Sequence, residues 1–368
     1  MGYDSRTMIA IAIIAVYGVL TSFVQLGTGI FRGFERMEFD TLIAIIDKVL
    51  IVGIGVGVLS AGLGLYWFSA AFVVAGIVGV IVVIVQLRLK FFKPDIVFNF
   101  QESKRIFSGA VVFGISLFLT TLYNRVDMVM LSVMKAPEVW GWYSAAHRLL
   151  NFTNEIPLIL MVATFPRFSR DSVVAKDELS RVFTIGFKYM LILAIPLVPG
   201  VIILAEKIIP FFSGDEFLNA IPALQILGVD AGLLFLNIFL AGLFGATNNQ
   251  NKLVVIQILG LITNVLLNLL LIPRHAHIGA SVATVVTETV VFACTFMYAI
   301  TRIVKINKMT FLPRSIISAL LMVGVLLLLK EAHVLICVVC AVAVYFGALL
   351  ALRGINVKEI IDLKSFKS

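Results

Sequence analysis

The chain alternates long apolar stretches with short polar breaks. A helix that crosses a bilayer needs about 20 mostly apolar residues. By that rule the sequence predicts eleven spans, at 7–31, 41–61, 66–87, 106–134, 138–165, 183–205, 219–246, 252–272, 278–301, 312–330 and 333–352. Only Lys330, Glu331 and Ala332 separate the last two, so they read as a helical hairpin. The fold class is an all-α, polytopic membrane helical bundle. The first stretch is too long for a signal-peptide core and lacks a clear cleavage site.

Composition agrees. Of 368 residues, 61% are hydrophobic and 14% charged, against roughly 45–50% and 25% in ordinary soluble domains. One soluble core of this size has no room for so much apolar surface.

The charge pattern supplies orientation. The net charge is +8. If the loops lie alternately on two sides, 20 of the 29 lysines and arginines fall on the side of Arg32 and 5 on the other; Lys48, Arg125, Arg148 and Lys188 lie in or at the edge of helices. The positive-inside rule makes the Arg32 side, and with it the C-terminal tail, cytoplasmic. The N-terminus then lies outside. The basic runs read as topology and headgroup signals, and no nucleic-acid motif accompanies them. Between Lys93 and Arg105, Phe98 and Phe100 alternate with lysines, the mixture of a segment lying along the membrane surface.

Two regions resemble each other. Gly29-Ile30-Phe31, a polar stretch and an apolar helix recur as Gly242-Leu243-Phe244 and a second polar stretch and helix, 213 residues on. Arg88 and Arg302 close the following helices at an offset of 214. Parallel repeats of membrane helices are typical of two-lobed transporters. If the repeat is complete elsewhere, helices four to six lack first-lobe partners, and three helices of about 106 residues are expected upstream of this sequence. The expected organisation is a three-helix remnant of an N-terminal lobe at 1–103, a six-helix lobe at 104–303, and a C-terminal hairpin and tail at 304–368.

Charges in mid-membrane are costly and mark candidate sites. They are Asp47 and Lys48, Arg125 and Asp127, Arg148 and Glu155, Asp230, and Glu288. Arg148, Asn151 and Glu155 are spaced for one helix face. Arg125 and Arg148 sit at similar depth, and guanidinium binds phosphate bidentately. With Asn124 and Lys48 they form a candidate set for a phosphate or sugar. The competing reading is that Arg125 or Arg148 simply pairs with Asp127 or Glu155 to join helices. Asp127, Glu155, Asp230 and Glu288 are candidates for proton or sodium coupling, because low dielectric raises the proton affinity of a carboxylate; helix packing is the competing role. Asn264 and Asn268, four apart, suit interhelix bonding.

Other features carry less. Cys337-x-x-Cys340 lies in an apolar helix and reads, with Cys294, as small packing residues. His275 and His277 are too few for a metal site, and no metal or cofactor is expected. The sequon Asn151-Phe152-Thr153 lies inside a predicted helix. Pro157, Pro196 and Pro199 introduce kinks, and Gly53, Gly55 and Gly57 permit close approach.

Several segments together resemble one family. They are Phe31-Arg32-Gly33-Phe34-Glu35-Arg36-Met37, Tyr123 to Leu131, Gly141 to Leu149, Phe165-Pro166-Arg167-Phe168, Asn264 to Pro273, and Ile278 to Thr284 with Glu288. The chain is similar to the Wzx-like polysaccharide-biosynthesis flippases of the multidrug/oligosaccharidyl-lipid/polysaccharide exporter superfamily. The resemblance implies a two-lobed exporter in the cell membrane, not an enzyme, moving an oligosaccharide linked to a polyprenyl phosphate or pyrophosphate from inner to outer leaflet, with membrane lipids and polysaccharide-assembly enzymes as partners. The intramembrane cations count against a second reading, a drug or metabolite antiporter of the same superfamily. A third, a membrane enzyme of polysaccharide assembly, lacks a carboxylate pair at a membrane surface.

Overall fold

The computed structural model describes residues 4–34, 36–92, 100–174, 176–305 and 311–354, and these are helical apart from short connections. Among the described residues, seven helical stretches are long and apolar enough to cross a bilayer, and Leu312–Leu328 is a shorter apolar helix. The protein is a multi-pass membrane protein. The expected surface-lying segment at Lys93 and the C-terminal tail past Gly354 fall largely outside the described residues. The chain divides into two compact units, Met1–Val112 and Phe113–Ser368.

The first unit contains α1 (Ser5–Gly33), α2 (Met37–Ser60) and α3 (Leu65–Lys90). Glycines let α1 and α3 approach closely: Tyr17 and Leu20 pack on Gly76, Val24 on Gly79, and Val83 on Gly27. Small residues supply such contacts where lipid removes any hydrophobic drive between helices. Phe31, Phe39 and Phe91 cluster at one end, with ring centroids 5.3–5.7 Å apart. Arg32 there pairs with Asp40 at 2.7 Å, and Lys90 lies 4.8 Å from the Phe39 ring centre.

The second unit takes in most of α4 (Phe100–Met134), then α5 (Pro137–Asn151), α6 (Glu155–Val174), α7 (Lys176–Ser213), α8 (Ile221–Ala246), α9 (Gln250–Tyr298), α10 (Leu312–Leu328) and α11 (Val334–Ala351). Helix α8 is its centre: Leu224 and Leu227 pack with α4, α5 and α7, and Phe239 and Phe244 with α6 and α7. The predicted span 138–165 is two helices, because a 3-10 turn at Phe152–Asn154 interrupts it three residues before Pro157, whose missing N–H weakens the helix there. The two spans predicted between 252 and 301 are the two arms of α9, which break and fold back at Ala276, where the backbone is non-helical with φ at +50°.

Boundaries recur at the spacing read from the sequence. Gly33 and Ala246 end α1 and α8, Met37 and Gln250 begin α2 and α9, and Lys90 and Ile303 close α3 and the π-turn after α9; each pair lies 213 residues apart.

Polar groups fasten the α10–α11 hairpin to α7. Pro196 leaves the Ile192 carbonyl without its helical donor, and the Tyr345 hydroxyl donates to that oxygen at 2.7 Å. The Lys207 ammonium donates to the Leu329 and Ala332 carbonyls at 3.0 and 2.6 Å and lies 3.4 Å from Cys337 Sγ. It thereby caps α10, and it gives the buried Cys337 a charged neighbour that its own helix does not predict. All three cysteines are free. Lys207→Met is expected to lower stability by about 1–2 kcal/mol, measured by thermal unfolding in detergent; an unchanged midpoint would show that the cap contributes nothing.

Candidate functional site

The second unit holds a polar cavity of about 530 Å³ at mid-helix depth. Four segments build it. From α4 come Tyr123, Asn124, Arg125 and Asp127; from α5 and the start of α6, His147, Asn151, Asn154 and Glu155; from α8, Asp230; from both arms of α9, Asn264, Thr284, Thr287 and Glu288.

Two buried carboxylates are tied down. Asp127 accepts a short hydrogen bond from the fully buried Tyr143 hydroxyl, and further bonds from the Met128 backbone N–H at 2.8 Å and Thr284 Oγ1 at 3.4 Å. Glu288 accepts from the Tyr123 hydroxyl at 2.8 Å and from Asn237 Nδ2 at 2.6 Å. These bonds join α4 to α5, α8 and the second arm of α9.

The third carboxylate differs. Asp230 is 4% exposed, and its Oδ1 has no hydrogen-bond partner among the described residues. Thr287 Oγ1 in the same cavity wall is likewise buried and unpartnered among the described residues, as are Asn237 Oδ1 on α8 and Asn268 Oδ1 on α9. Asn268 donates to Asn264 at 2.7 Å, so that pair bonds within α9 rather than across helices. Buried oxygens without donors are expensive, and a bound cation, a proton or water would satisfy them. Among the described residues no group of three or more His, Cys, Asp or Glu is arranged to hold a metal ion.

Arg125 is exposed to the cavity, with only Met128 Sδ as a contact among the described residues, at 3.6 Å. It forms no ion pair with Asp127, because that carboxylate already accepts from Tyr143, Met128 and Thr284. Arg148 does not pair with Glu155 either.

Arg148 lies in a different place from Arg125. It lines a second cavity of about 430 Å³ with Trp140, Phe152, Phe212 and Phe217. The expected face of Arg148, Asn151 and Glu155 is formed only in part: Asn151 and Glu155 share the cavity across the 3-10 turn, whereas Arg148, about 60° from Asn151 around α5, turns to the second cavity and His147, four residues before Asn151, takes the inward place. Asn151 Nδ2 lies 3.3 Å from His147 Nδ1. Lys48 belongs to the first unit. Its side chain is 74% exposed and lies 3.1 Å from Asp47 Oδ2. The structure therefore gathers Arg125, Asn124, Asn151, Asp127, Glu155, Asp230 and Glu288 in one cavity of the second unit and leaves Arg148 outside it, while Lys48 belongs to the first unit. Tyr123, Tyr143, His147, Asn237 and Thr284 are members of this network that charge alone did not flag. One signal was available: Tyr123 with Asp127, Tyr143 with His147, and Thr284 with Glu288 each repeat at four residues.

Sequence comparison adds the family. A polysaccharide biosynthesis protein model matches residues 1–172, and the MatE model matches residues 113–270. The chain is similar to flippases of the multidrug/oligosaccharidyl-lipid/polysaccharide exporter superfamily. It is 23% identical over 295 residues to the probable low-salt glycan biosynthesis flippase Agl15 of Haloferax volcanii, covering 79% of this chain and 60% of that protein. The probable flippase AglR of the same organism is 24% identical, covering 72% of this chain and 56% of AglR. An uncharacterized membrane protein of Methanocaldococcus jannaschii, MJ1068, is 25% identical over 95% of this chain and 72% of its own length. The chain thus spans about 60% of the length of a curated superfamily relative. In fold it matches the lipid II flippase MurJ in its inward closed conformation, with a TM-score of 0.77 at 15% identity, over 89% of this chain and 70% of MurJ.

Proposed function

We propose that the chain translocates an oligosaccharide linked to a polyprenyl phosphate or pyrophosphate from the inner to the outer leaflet, by alternating access. The observation that carries this reading is the cavity's combination of one ion-pair-free guanidinium, Arg125, with amides from Asn124, Asn151 and Asn154 at mid-membrane depth. A guanidinium takes phosphate oxygens bidentately, and amides bond sugar hydroxyls. The probable glycan biosynthesis flippase Agl15 and the probable flippase AglR among the relatives support the substrate class. Arg148, in the second cavity, and Lys48, in the first unit, are further candidate contacts for a phosphate or sugar. Asp230, with its unpartnered oxygen, Glu288, Asp127 and Glu155 hold the coupling proton or sodium ion. The same proposal places the chain in the cell membrane with its C-terminus in the cytoplasm, beside the enzymes of polysaccharide assembly, with the lobes divided at 1–103, 104–303 and 304–368. An ion-coupled drug antiporter is the second reading, favoured only by the carboxylates; Arg125 opposes a cationic cargo.

The test is reconstitution in liposomes with a fluorescent polyprenyl-pyrophosphate oligosaccharide, scored by its accessibility to an added glycosidase. Loss of one charged hydrogen-bonding group is worth about 1.5–3 kcal/mol, so Arg125→Ala is expected to slow transfer by roughly 10- to 100-fold. Arg125→Lys keeps the charge but loses the fork, and should recover only part. A full rate in Arg125→Ala would remove the guanidinium from the substrate site.

A further inference from the structure

In the first unit, α2 carries two ionisable residues at the centre of a 24-residue apolar helix. Lys48 lies eleven positions from the Met37 end and twelve from the Ser60 end. At about 1.5 Å per residue that is roughly 17 Å from either end, too deep for a lysine stem to carry its ammonium to headgroup level. Yet the side chain is exposed.

Its surroundings are built rather than incidental. The Tyr17 hydroxyl, on α1, donates to both oxygens of Asp47, at 3.3 and 3.2 Å. The Tyr17 ring is seated against α3, edge-on to Phe72 at 5.5 Å and on Gly76. Asp47 in turn holds the Lys48 ammonium at 3.1 Å. All three helices of the unit therefore contribute to positioning one ammonium.

The helix also separates two exposures. At about 100° per residue, Asp40, Ala44, Asp47, Lys48 and Ile51 share an arc of roughly 100°, whereas Leu42, Ile45, Val49 and Val56 share another of roughly 60°. Between Leu42 and Val56 the second arc is apolar and exposed, as a lipid face should be, and its polar members, Glu38 and Ser60, stand at the two ends of the helix. The first contains the charges. By the 213-residue repeat, Tyr17 corresponds to Asp230 and α2 to the first arm of α9, which are parts of the cavity wall in the second unit.

We propose that the Asp40–Ala44–Lys48 arc faces water within the membrane and binds a phosphate oxyanion at Lys48, with Tyr17 and Asp47 as positioning residues. This rests on the translocation reading above and deepens it: Lys48 is given a support, and the ligand chemistry is a phosphate on an apolar chain. The ammonium donates to the phosphate oxygens while Asp47, held by Tyr17, fixes its position. Farnesyl pyrophosphate and a phospholipid headgroup present the same chemistry.

The experiment uses the full chain in phosphatidylcholine nanodiscs. Ala44→Cys and Val49→Cys are labelled with a membrane-impermeant cationic methanethiosulfonate, and the rate of the parent chain with Cys294, Cys337 and Cys340 is subtracted. Ala44→Cys should react at least tenfold faster than Val49→Cys. Farnesyl pyrophosphate should slow that reaction at least fivefold and farnesol should not. Lys48→Gln should abolish the protection, and Lys48→Arg should keep it. Tyr17→Phe, which retains the packing on Phe72 and Gly76, should raise the concentration for half-protection severalfold, as should Asp47→Asn. Competition by added phosphatidylglycerol would identify a bilayer headgroup as a natural ligand of the same site, whereas unchanged protection would assign the site to the prenyl phosphate. Equal labelling at positions 44 and 49, or equal protection by farnesol, overturns the proposal. Transport with no protection would sink this site and leave translocation standing; protection without transport would do the reverse.

Discussion

Asp127→Ala is expected to abolish translocation and to destabilise the second unit by about 3 kcal/mol, the usual scale for removing one partner from a buried charged network. The carboxylate receives Tyr143, the Met128 N–H and Thr284. Without it, the fully buried Tyr143 hydroxyl keeps only Thr284 Oγ1, 3.2 Å away, and that hydroxyl also donates to the Ala280 carbonyl. Asp127→Asn separates structure from function. One carboxylate oxygen becomes an NH₂ that faces donors, but the Tyr143 and Thr284 hydroxyls can turn to accept, so the expected loss of stability is about 1 kcal/mol. Its transport rate should still fall at least tenfold, because a neutral amide neither takes up nor releases a proton and binds a cation less strongly. Thermal unfolding in detergent, paired with the liposome assay, reads both quantities. Asp127→Asn with normal transport would confine Asp127 to helix packing.

The helices were legible because lipid imposes a length and a composition on every span. The 213-residue repeat was legible for the same reason, since its polar breaks interrupt apolar runs at matching places. The carboxylates could be flagged by their cost. Their partners could not: Tyr123 lies 165 residues from Glu288 in sequence, and Tyr143 lies 141 from Thr284. A tyrosine in an apolar helix looks like packing until the tertiary fold brings an acceptor to it. Arg148 was misplaced for a local reason. Residues three apart stand about 60° apart on a helix, and the cavity meets α5 on the His147–Asn151 side of that spread, so Arg148 turns to the neighbouring cavity. The Lys207 cap shows the same limit, since a lysine near a helix end gives no sign of whose carbonyls it will meet.

Such bonds also suggest why this interior mixes rigid and unfilled groups. Asp127 and Glu288 each bridge helices with full sets of donors, and they fix the walls. Asp230 and Thr287 leave oxygens open in the same wall. The proposed ion coupling would use both: firm walls to define the place, and unsatisfied oxygens to make occupancy favourable.

Gly279→Ala tests the hairpin that carries half of this wall. A Cβ at Gly279 would lie 2.5 Å from the Leu271 carbonyl oxygen and 2.7 Å from its carbonyl carbon. Both are backbone atoms on the opposite side of the turn, so no rotamer relieves the contact. The two arms must part at Ala276, which already holds φ at +50°. Parting them carries Thr284 away from Tyr143 and Asp127, and Glu288 away from Tyr123. The expected cost is about 3 kcal/mol, at the upper end for overpacking, together with loss of transport. Gly242→Ala is the control. Its added Cβ would meet only the flexible end of Met161, with the nearest atom, Cε, at 2.0 Å. Methionine has three rotatable bonds with which to move aside, so the cost should stay below about 1.5 kcal/mol. The two unfolding midpoints in detergent should therefore differ by several degrees although the change at both sites is one methyl group. If Gly279→Ala unfolds no earlier than Gly242→Ala, the turn is loose enough to adapt, and the close approach of Leu271 and Gly279 does not hold the arms of α9 together.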